Sequence, residues 1–408
     1  MPSPPSTSVP ISRLIEPFQR FAEKEASGGL LLLLCTAAAL VWANSPWRDS
    51  YSSLWHTKAM IGIGTFTLSG DLHFWVNDLL MAVFFFVVGL EIKREMLVGE
   101  LASIKQAALP VLAALGGVVV PAILFSLFNL RGPGAPGWGI PMATDIAFAL
   151  GVMALLGPRI PLALKVFLTA LAIADDLAAV LVIALFYAAS ISWGWLAVVL
   201  LCWLILWSMN RMGVLHPLPY IVLGILLWIA VLQSGIHATI TGVLLAFTIP
   251  AGPVGASEGD SPLHHIEQTL TPWVAFLIMP IFAFANAGVT LPADLPSLFS
   301  HPLTLGVIFG LLLGKPLGIS LASWLAVRTG LAALPSGVTW SHIHGTGWLA
   351  GIGFTMSLFI AGLAFADPAL LNMAKVGILV ASLFAGAIGA ILLRRVPLVP
   401  PTPREIVE

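Results

Sequence analysis

Charge is what this sequence has least of. Only 9% of its 408 residues are Asp, Glu, Lys or Arg, while 59% are hydrophobic. Soluble proteins carry roughly 25% charged residues, so this chain cannot cover a globule with water-compatible groups, and lipid must be its solvent. Excess positive charge is also missing. A net charge of −1 offers no field to release counter-ions from a phosphate backbone, which excludes nucleic acid as a partner. The two cysteines, Cys35 and Cys202, lie in apolar runs without metal-ligand spacing and read as packing residues. No secretory leader is recognisable. Residues 1–28 are polar and mixed in sign, no small-residue cleavage site follows a short apolar core, and Leu34 before Cys35 argues against lipoprotein processing.

What is present is long apolar runs. A bilayer core of about 30 Å needs about 20 apolar residues per helix, with every backbone polar group satisfied internally. Twelve runs meet or approach this: 29–44, 74–96, 107–129, 139–157, 162–187, 193–210, 218–234, 236–250, 270–290, 303–327, 345–366 and 374–394. The seventh and eighth are short and divide at Ser234-Gly235. Residues 11–26 form an amphipathic stretch expected along the membrane surface. With the N-terminus inside, thirteen Lys and Arg fall on the inner side and four on the outer, namely Arg48, Lys58, Arg131 and Lys375. That bias places both termini in the cytoplasm and requires an even helix count. The segment 58–71, KAMIGIGTFTLSGD, reads as a small outer β-hairpin. The Gly/Ser-rich, acidic stretch 252–268 reads as a flexible inner connector, with His264-His265 as a solvated pair.

Four ionisable residues stand deep inside apolar runs: Asp145, Asp175, Asp176 and Lys315. Each charge at a helix centre costs about 2.5–3.5 kcal/mol, so four unpaired would cost roughly 10–14, comparable to the whole stability of a domain. A structural ion pair accounts for Lys315 with one Asp and leaves two carboxylates over. Asp175 and Asp176, in LTALAIADDLAAVLV, are helical neighbours about 100° apart, so both can border one cavity. Two carboxylates about 6 Å apart repel by roughly 3 kcal/mol at an effective dielectric near 20. The pair therefore titrates as a coupled system. Carboxylate oxygens also suit a hard cation. A site that takes either protons or a cation, but not both, is what an antiporter requires.

Thr144-Asp145 lies in GWGIPMATDIAFALG, where Gly139, Pro141 and the Thr-Asp pair are helix-start signals inside a run that should span. A break there aims a half-helix N-terminus at the membrane centre, where Asp145 neutralises its dipole. Gly345, Gly347, Gly351 and Gly353 interrupt the eleventh run in the same manner, and paired interruptions point to a transporter's binding site. Lys315, in LLLGKPLGIS, supplies a positive charge near the Asp pair and the broken ends. Asp78 is one turn inside the second run, and Glu91, Lys93, Arg94 and Glu95 cluster at its inner end. His237, in SGIHATITG, reads as a packed or helix-end histidine.

Taken together, MATDIAFALG, ALAIADDLAAVLV, SGIHATITG, PIFAFANAGV, GKPLGI and GIGFTMSLFIAGLAF resemble the NhaA family of bacterial sodium–proton antiporters, in order from about residue 15 to 392. The resemblance implies an all-α polytopic fold of about twelve spans, with inverted-topology repeats at about 107–187 and 303–394 and two discontinuous crossing helices. It implies a transporter domain over 29–395, between a cytoplasmic N-terminal segment 1–28 and a cytoplasmic tail 396–408. By the same resemblance Asp175, Asp176 and Thr144 bind sodium and protons, and Asp145 and Lys315 compensate the charge of the broken helix ends. Lys315 is expected to pair with Asp175 when sodium is absent. Asp78, Glu91, Glu95 and Glu267 occupy accessory or pH-response positions, although Gln268 and Thr271 stand where the family has histidines.

The implied activity is exchange of about two protons for one sodium or lithium ion across the bacterial inner membrane, serving sodium and pH homeostasis, by a homodimer joined through the 58–71 hairpin. No cofactor is required beyond the transported Na+, Li+ and H+. The rival reading is a sodium-coupled symporter of a small organic anion, which calls for a larger polar cavity than these apolar segments offer. Enzymatic readings fail on context. No GxGD-type element accompanies the Asp pair, and Leu177-Ala178-Ala179-Val180 follows Asp176 where a prenyltransferase needs DDxxD.

Overall fold

The computed structural model describes residues 11–63, 66–188, 191–252, 261–291 and 295–397. The parts of the inner connector and the tail outside these ranges are not described. Each of the twelve apolar runs corresponds to a helix. We number them α1 (Ile11–Ala43), α2 (Leu72–Leu97), α3 (Ile104–Phe128), α4 (Ala135–Leu155), α5 (Leu162–Phe186) and α6 (Trp193–Arg211). There follow α7 (Pro217–Ser234), α8 (Ile240–Thr248), α9 (Pro262–Asn286), α10 (Pro302–Arg328), α11 (Trp340–Ala350 and Phe354–Ala364) and α12 (Pro368–Arg395). Among the described residues nine of these are long and apolar enough to cross a bilayer in one piece. Two more pass only as bent pairs: Ser27–Ala43 with the short helix Arg48–Trp55, at 117°, and the halves of α11, at 45°. The helix α8 has nine residues, about 13 Å of rise, and does not cross by itself. Its end carbonyls are satisfied instead: Lys93 Nζ donates to Phe247 O at 2.7 Å and to Ile249 O at 2.5 Å, and Asn210 Nδ2 to Thr248 O at 2.7 Å.

The amphipathic stretch 11–26 is continuous with the first span in α1. Directly after α7, Gly235 ends the helix in the left-handed region at φ 84°, which a glycine adopts without steric cost, so α7 and α8 divide where the sequence suggests. The hairpin is present as β1 (Lys58–Ile63) paired antiparallel with β2 (Phe66–Asp71), in register Lys58↔Asp71 and Ile63↔Phe66. Asp71 closes the hairpin and starts α2, its Oδ1 accepting from Phe74 N at 2.8 Å. The connector 252–268 is shorter than expected. Pro262 opens α9, and Leu263, 3% exposed, packs inward with Ile266; this helical period carries His264, His265 and Glu267 into the helix. Lys375, counted with the outer loops, lies inside α12 instead.

Burial is inverted relative to a soluble protein. Large apolar side chains such as Leu200, Leu201, Ile221, Ile225, Leu321, Leu325, Leu383 and Ile391 are exposed, whereas Asp145, Asp175, Asp176 and Lys315 are buried. Several helix pairs approach at backbone distance through glycine, α3 with α10 and α2 with α8 among them. On α10, a Cβ at Gly318 would collide with the Gly116 backbone of α3, and one at Gly242 of α8 would collide with Ala82 O and Phe86 N of α2. The span α10 therefore travels with α3, and α8 with α2, because small residues let backbones meet and maximise dispersion contact.

Among the described residues three wide π-turns interrupt the spans, at Trp75–Leu80, Val274–Ile278 and Gly310–Gly314. Two of them are followed by proline, Pro280 and Pro316. Proline has no N–H to donate and its ring crowds the preceding turn, and a widened turn accommodates both. The third π-turn places Lys315 at its end, directed into the protein.

Candidate ion-binding site

The helix α4 begins as a 3-10 segment, Ala135–Met142, passes through extended backbone at Ala143 and Asp145, and resumes as α-helix at Ile146. The helix α11 breaks at Gly351–Gly353. The breaks meet. Thr144 Oγ1 donates to Ala350 O at 2.9 Å, Asp145 N to Ile352 O at 2.7 Å, and Ser357 Oγ to Ile140 O at 2.8 Å. Each interruption frees backbone groups that nothing apolar can satisfy, and each break supplies the partners the other lacks.

Asp145 sits where two half-helix N-termini converge. Its Oδ1 accepts from Phe148 N at 3.1 Å, capping the second half of α4. Its Oδ2 accepts from Thr355 N at 3.1 Å and from the Thr355 hydroxyl, capping the second half of α11. One carboxylate thus answers two helix dipoles, each worth about 0.3–2 kcal/mol with a negative group at its positive end. Ser382 Oγ completes the second cap by accepting from Phe354 N at 3.1 Å.

Asp175 and Asp176 lie near the middle of α5, 0% and 3% exposed. Lys315 Nζ reaches Asp175 Oδ2 at 2.5 Å, with neither side chain exposed at all. Thr144 flanks Asp175, and Lys315 also acts electrostatically on Asp176. The negative neighbours of Asp176 are Asp175, Glu91 and Asp145. Two buried carboxylate oxygens, Asp175 Oδ1 and Asp176 Oδ1, have no hydrogen-bond partner among the described residues. Burying such an atom without a partner costs about 1–3 kcal/mol, more when charged, so these oxygens are positioned for a cation, a proton or water.

The accessory residues fall in two places. Glu91, Glu95 and Glu267 gather around Arg94: Arg94 Nη1 meets Glu95 Oε1 at 2.9 Å and Arg94 Nε meets Glu267 Oε1 at 3.1 Å. Glu95 Oε2 also accepts from Glu100 N at 3.0 Å. Glu91 is half-buried between this cluster and Asp176. Asp78 lies apart in the first π-turn of α2, where its backbone carbonyl accepts from Trp228 Nε1 at 3.3 Å. His237 is a helix-end residue, paired through Nε2 with Tyr187 O at 2.7 Å.

Sequence reasoning passed over Thr355, Ser357, Ser382 and the capping role of Lys93. A signal existed for the first two: Gly353-Phe354-Thr355 is a small-residue break followed by a hydroxyl, like Ala143-Thr144-Asp145. None existed for Ser382 and Lys93, whose partners are backbone atoms of distant helices.

Two discontinuous helices crossing at a buried charged centre, in a chain with lipid-facing apolar flanks, define a multi-pass membrane protein of the secondary-transporter type. A sequence model of the family described as Na+/H+ antiporter 1 matches residues 19–393, and the chain belongs to that family. It is 50% identical to a Na(+)/H(+) antiporter NhaA of Oleidesulfovibrio alaskensis, over 96% of either chain. It is likewise 50% identical to one from Koribacter versatilis, over 96% of this chain and 94% of the relative. A third, from Escherichia coli O1:K1, is 51% identical over 92% of this chain and 97% of the relative.

Proposed function

We propose that this protein is a sodium(lithium)/proton antiporter that exchanges about two protons for one cation by alternating access at Asp175 and Asp176. The observation that carries the reading is the pair of unpartnered carboxylate oxygens beside an ion pair that already occupies one of four. Sodium ligation by Asp176, Asp175 and Thr144 pulls Asp175 away from Lys315, and release of the cation returns the pair or admits protons. With Asp175 paired to Lys315, the empty doubly ionised site still leaves the Asp176 charge bare in a dry interior, which is costly, so it does not reorient. Coupling follows from that prohibition. An exchange of unequal charge is driven by membrane voltage.

Asp145 and Lys315 hold the crossing together electrostatically, while Glu91, Glu95, Glu267 and Asp78 act as accessory or pH-response groups. The transporter domain extends over 29–395, with inverted repeats at about 107–187 and 303–394, in the bacterial inner membrane with both termini cytoplasmic. The β-hairpin is the natural element for a homodimer contact. The chemistry is translocation and calls for no cofactor. The rival symporter of an organic anion needs cationic or amide groups at the site for a carboxylate, yet Lys315, the cation beside the Asp pair, is already paired with Asp175 at 2.5 Å.

The test is sodium-induced dequenching of a proton dye in everted vesicles. Wild type responds to sodium and lithium, and Asp176→Asn gives no response while inserting normally. Undiminished exchange in Asp176→Asn refutes the site.

A further inference from the structure

The spans α10 and α11 form a groove on the apolar outer surface that the ion site does not use. Two contacts set their register. A Cβ at Gly347 would stand 3.1 Å from Pro316 Cα, and His344 Nδ1 meets Ser320 Oγ at 3.0 Å. The helices run in opposite directions, so the same register brings Trp340 level with Trp324. Ser320, Trp324 and Arg328 recur every fourth residue on α10, as Trp340, His344 and Trp348 do on α11, so each trio shares one side of its helix. Trp324 and Trp340 are each 40% exposed, and Arg328 and His344 are exposed.

His344 closes the deep end of this groove. The Trp348 indole N–H can only donate, and it donates to His344 Nε2 at 3.2 Å, so Nδ1–H donates to Ser320 Oγ. Both nitrogens of an exposed ring are thereby answered, and the two spans are tied at that level. Arg328 stands at the open end. Its guanidinium carbon lies 4.9 Å from the centre of the Trp324 ring, and no carboxylate pairs with it among the described residues. Between Lys315 and Asp367 it is the sole Asp, Glu, Lys or Arg. Counted from Lys315 in the buried centre, Arg328 is about 20 Å along the helix, beyond the hydrocarbon half-thickness of about 15 Å. Trp324 is about 14 Å along, at the boundary where indole rings settle. The neighbouring span α12, which meets Gly345 through Leu393, also ends in positive charge at Arg394 and Arg395.

We propose that this groove holds an anionic phospholipid of the leaflet that the Lys/Arg bias assigns to the cytoplasm. Its phosphate sits on Arg328, and the Trp324 and Trp340 rings flank the glycerol and the upper acyl chains. Charge selects the lipid. A guanidinium matches phosphate oxygens, and no acidic side chain stands between Lys315 and Asp367 to hold the ammonium of a zwitterionic headgroup. Such a lipid ties the ends of α10 and α11, the spans that carry Lys315 and the second break. The inference goes beyond ion exchange and does not depend on it.

The experiment uses full-length protein in lipid nanodiscs. The probes are phosphatidylglycerol and phosphatidylcholine, each carrying a photoactivatable group near the top of one acyl chain, and adducts on α10 and α11 peptides are quantified by mass spectrometry. The anionic probe is expected to label Trp324–Arg328 and Trp340–Trp348 about fivefold more than the zwitterionic one. Arg328→Gln removes that preference and Arg328→Lys keeps part of it. Arg211→Gln, whose arginine lies over Trp207 on α6, leaves it unchanged. Equal labelling by the two probes, an undiminished preference in Arg328→Gln, or an equal loss in Arg211→Gln overturns the site. Displacement of the anionic probe by millimolar inorganic phosphate assigns the groove to a soluble anion and overturns it as well. Should Arg328→Gln fail to insert, Trp340→Leu keeps the charge and removes one wall; it lowers anionic labelling here, and unchanged labelling overturns the site.

Discussion

Replacing Lys315 by Met tests the energetics of the centre directly. The ammonium and the Asp175 carboxylate are both fully buried with 2.5 Å between Nζ and Oδ2. At a charge separation of about 3 Å and an effective dielectric near 20, their attraction is about 5 kcal/mol. Removing one partner leaves a buried charge uncompensated, which costs about 3–5 kcal/mol. Asp175 cannot recover this from its surroundings, because its Oδ1 already lacks a partner. Lys315→Met is therefore expected to lose about 3–5 kcal/mol, read as denaturant unfolding of the purified protein in detergent micelles. Asp175→Leu alone loses a similar amount by stranding the ammonium. The double variant replaces the pair by apolar side chains of comparable size and returns to within about 1 kcal/mol of wild type, the usual outcome when a buried pair is exchanged whole. The cycle yields an interaction of several kcal/mol, far above the limit for independent sites. Uptake of a proton by Asp175 relieves the Lys315→Met variant. Its deficit thus shrinks in acid and grows toward alkaline pH, by no more than about 1.4 kcal/mol per unit. A Lys315→Met protein as stable as wild type at alkaline pH, or a double variant no better than either single one, refutes the argument that this pair sits in a low-dielectric interior.

Thr355→Val removes the hydroxyl bond to Asp145 and leaves the backbone bond from Thr355 N at 3.1 Å; a loss of about 1.5–3 kcal/mol is expected by the same unfolding assay, with Thr355→Ser near wild type. Gly242→Val drives a side chain into Ala82 O and Phe86 N, where backbone cannot yield; a loss of at least about 1–3 kcal/mol follows, seen as reduced yield of monodisperse protein, whereas Gly362→Val, with nothing within 4 Å of its Cβ position, is tolerated.

How much of this was legible in the sequence follows from which interactions are local. Span positions were legible because a helix in lipid satisfies its own backbone, so length and apolarity suffice; even the weak seventh–eighth division fell at Ser234-Gly235, where a left-handed glycine is needed. The start of α9 was misjudged because Gly/Ser composition in 252–261 masked the helical period beginning at Pro262. Asp145, Asp175, Asp176 and Lys315 stood out because each is expensive where it lies, and expense is visible without coordinates. Thr355, Ser382 and Lys93 are cheap residues, and their importance arises only when a distant chain segment brings them a partner.

That difference bears on how the centre works. Asp145 is held by two backbone N–H groups and a hydroxyl, so its charge is fully answered by the fold. Asp175 and Asp176 each keep one oxygen that the fold does not answer. A helix dipole cannot leave its cap, but an ammonium on a flexible stem can withdraw from a carboxylate. On the proposed exchange, the centre therefore contains one carboxylate committed to architecture and two left to compete for mobile cations, and Lys315 is the member whose displacement converts occupancy into rearrangement.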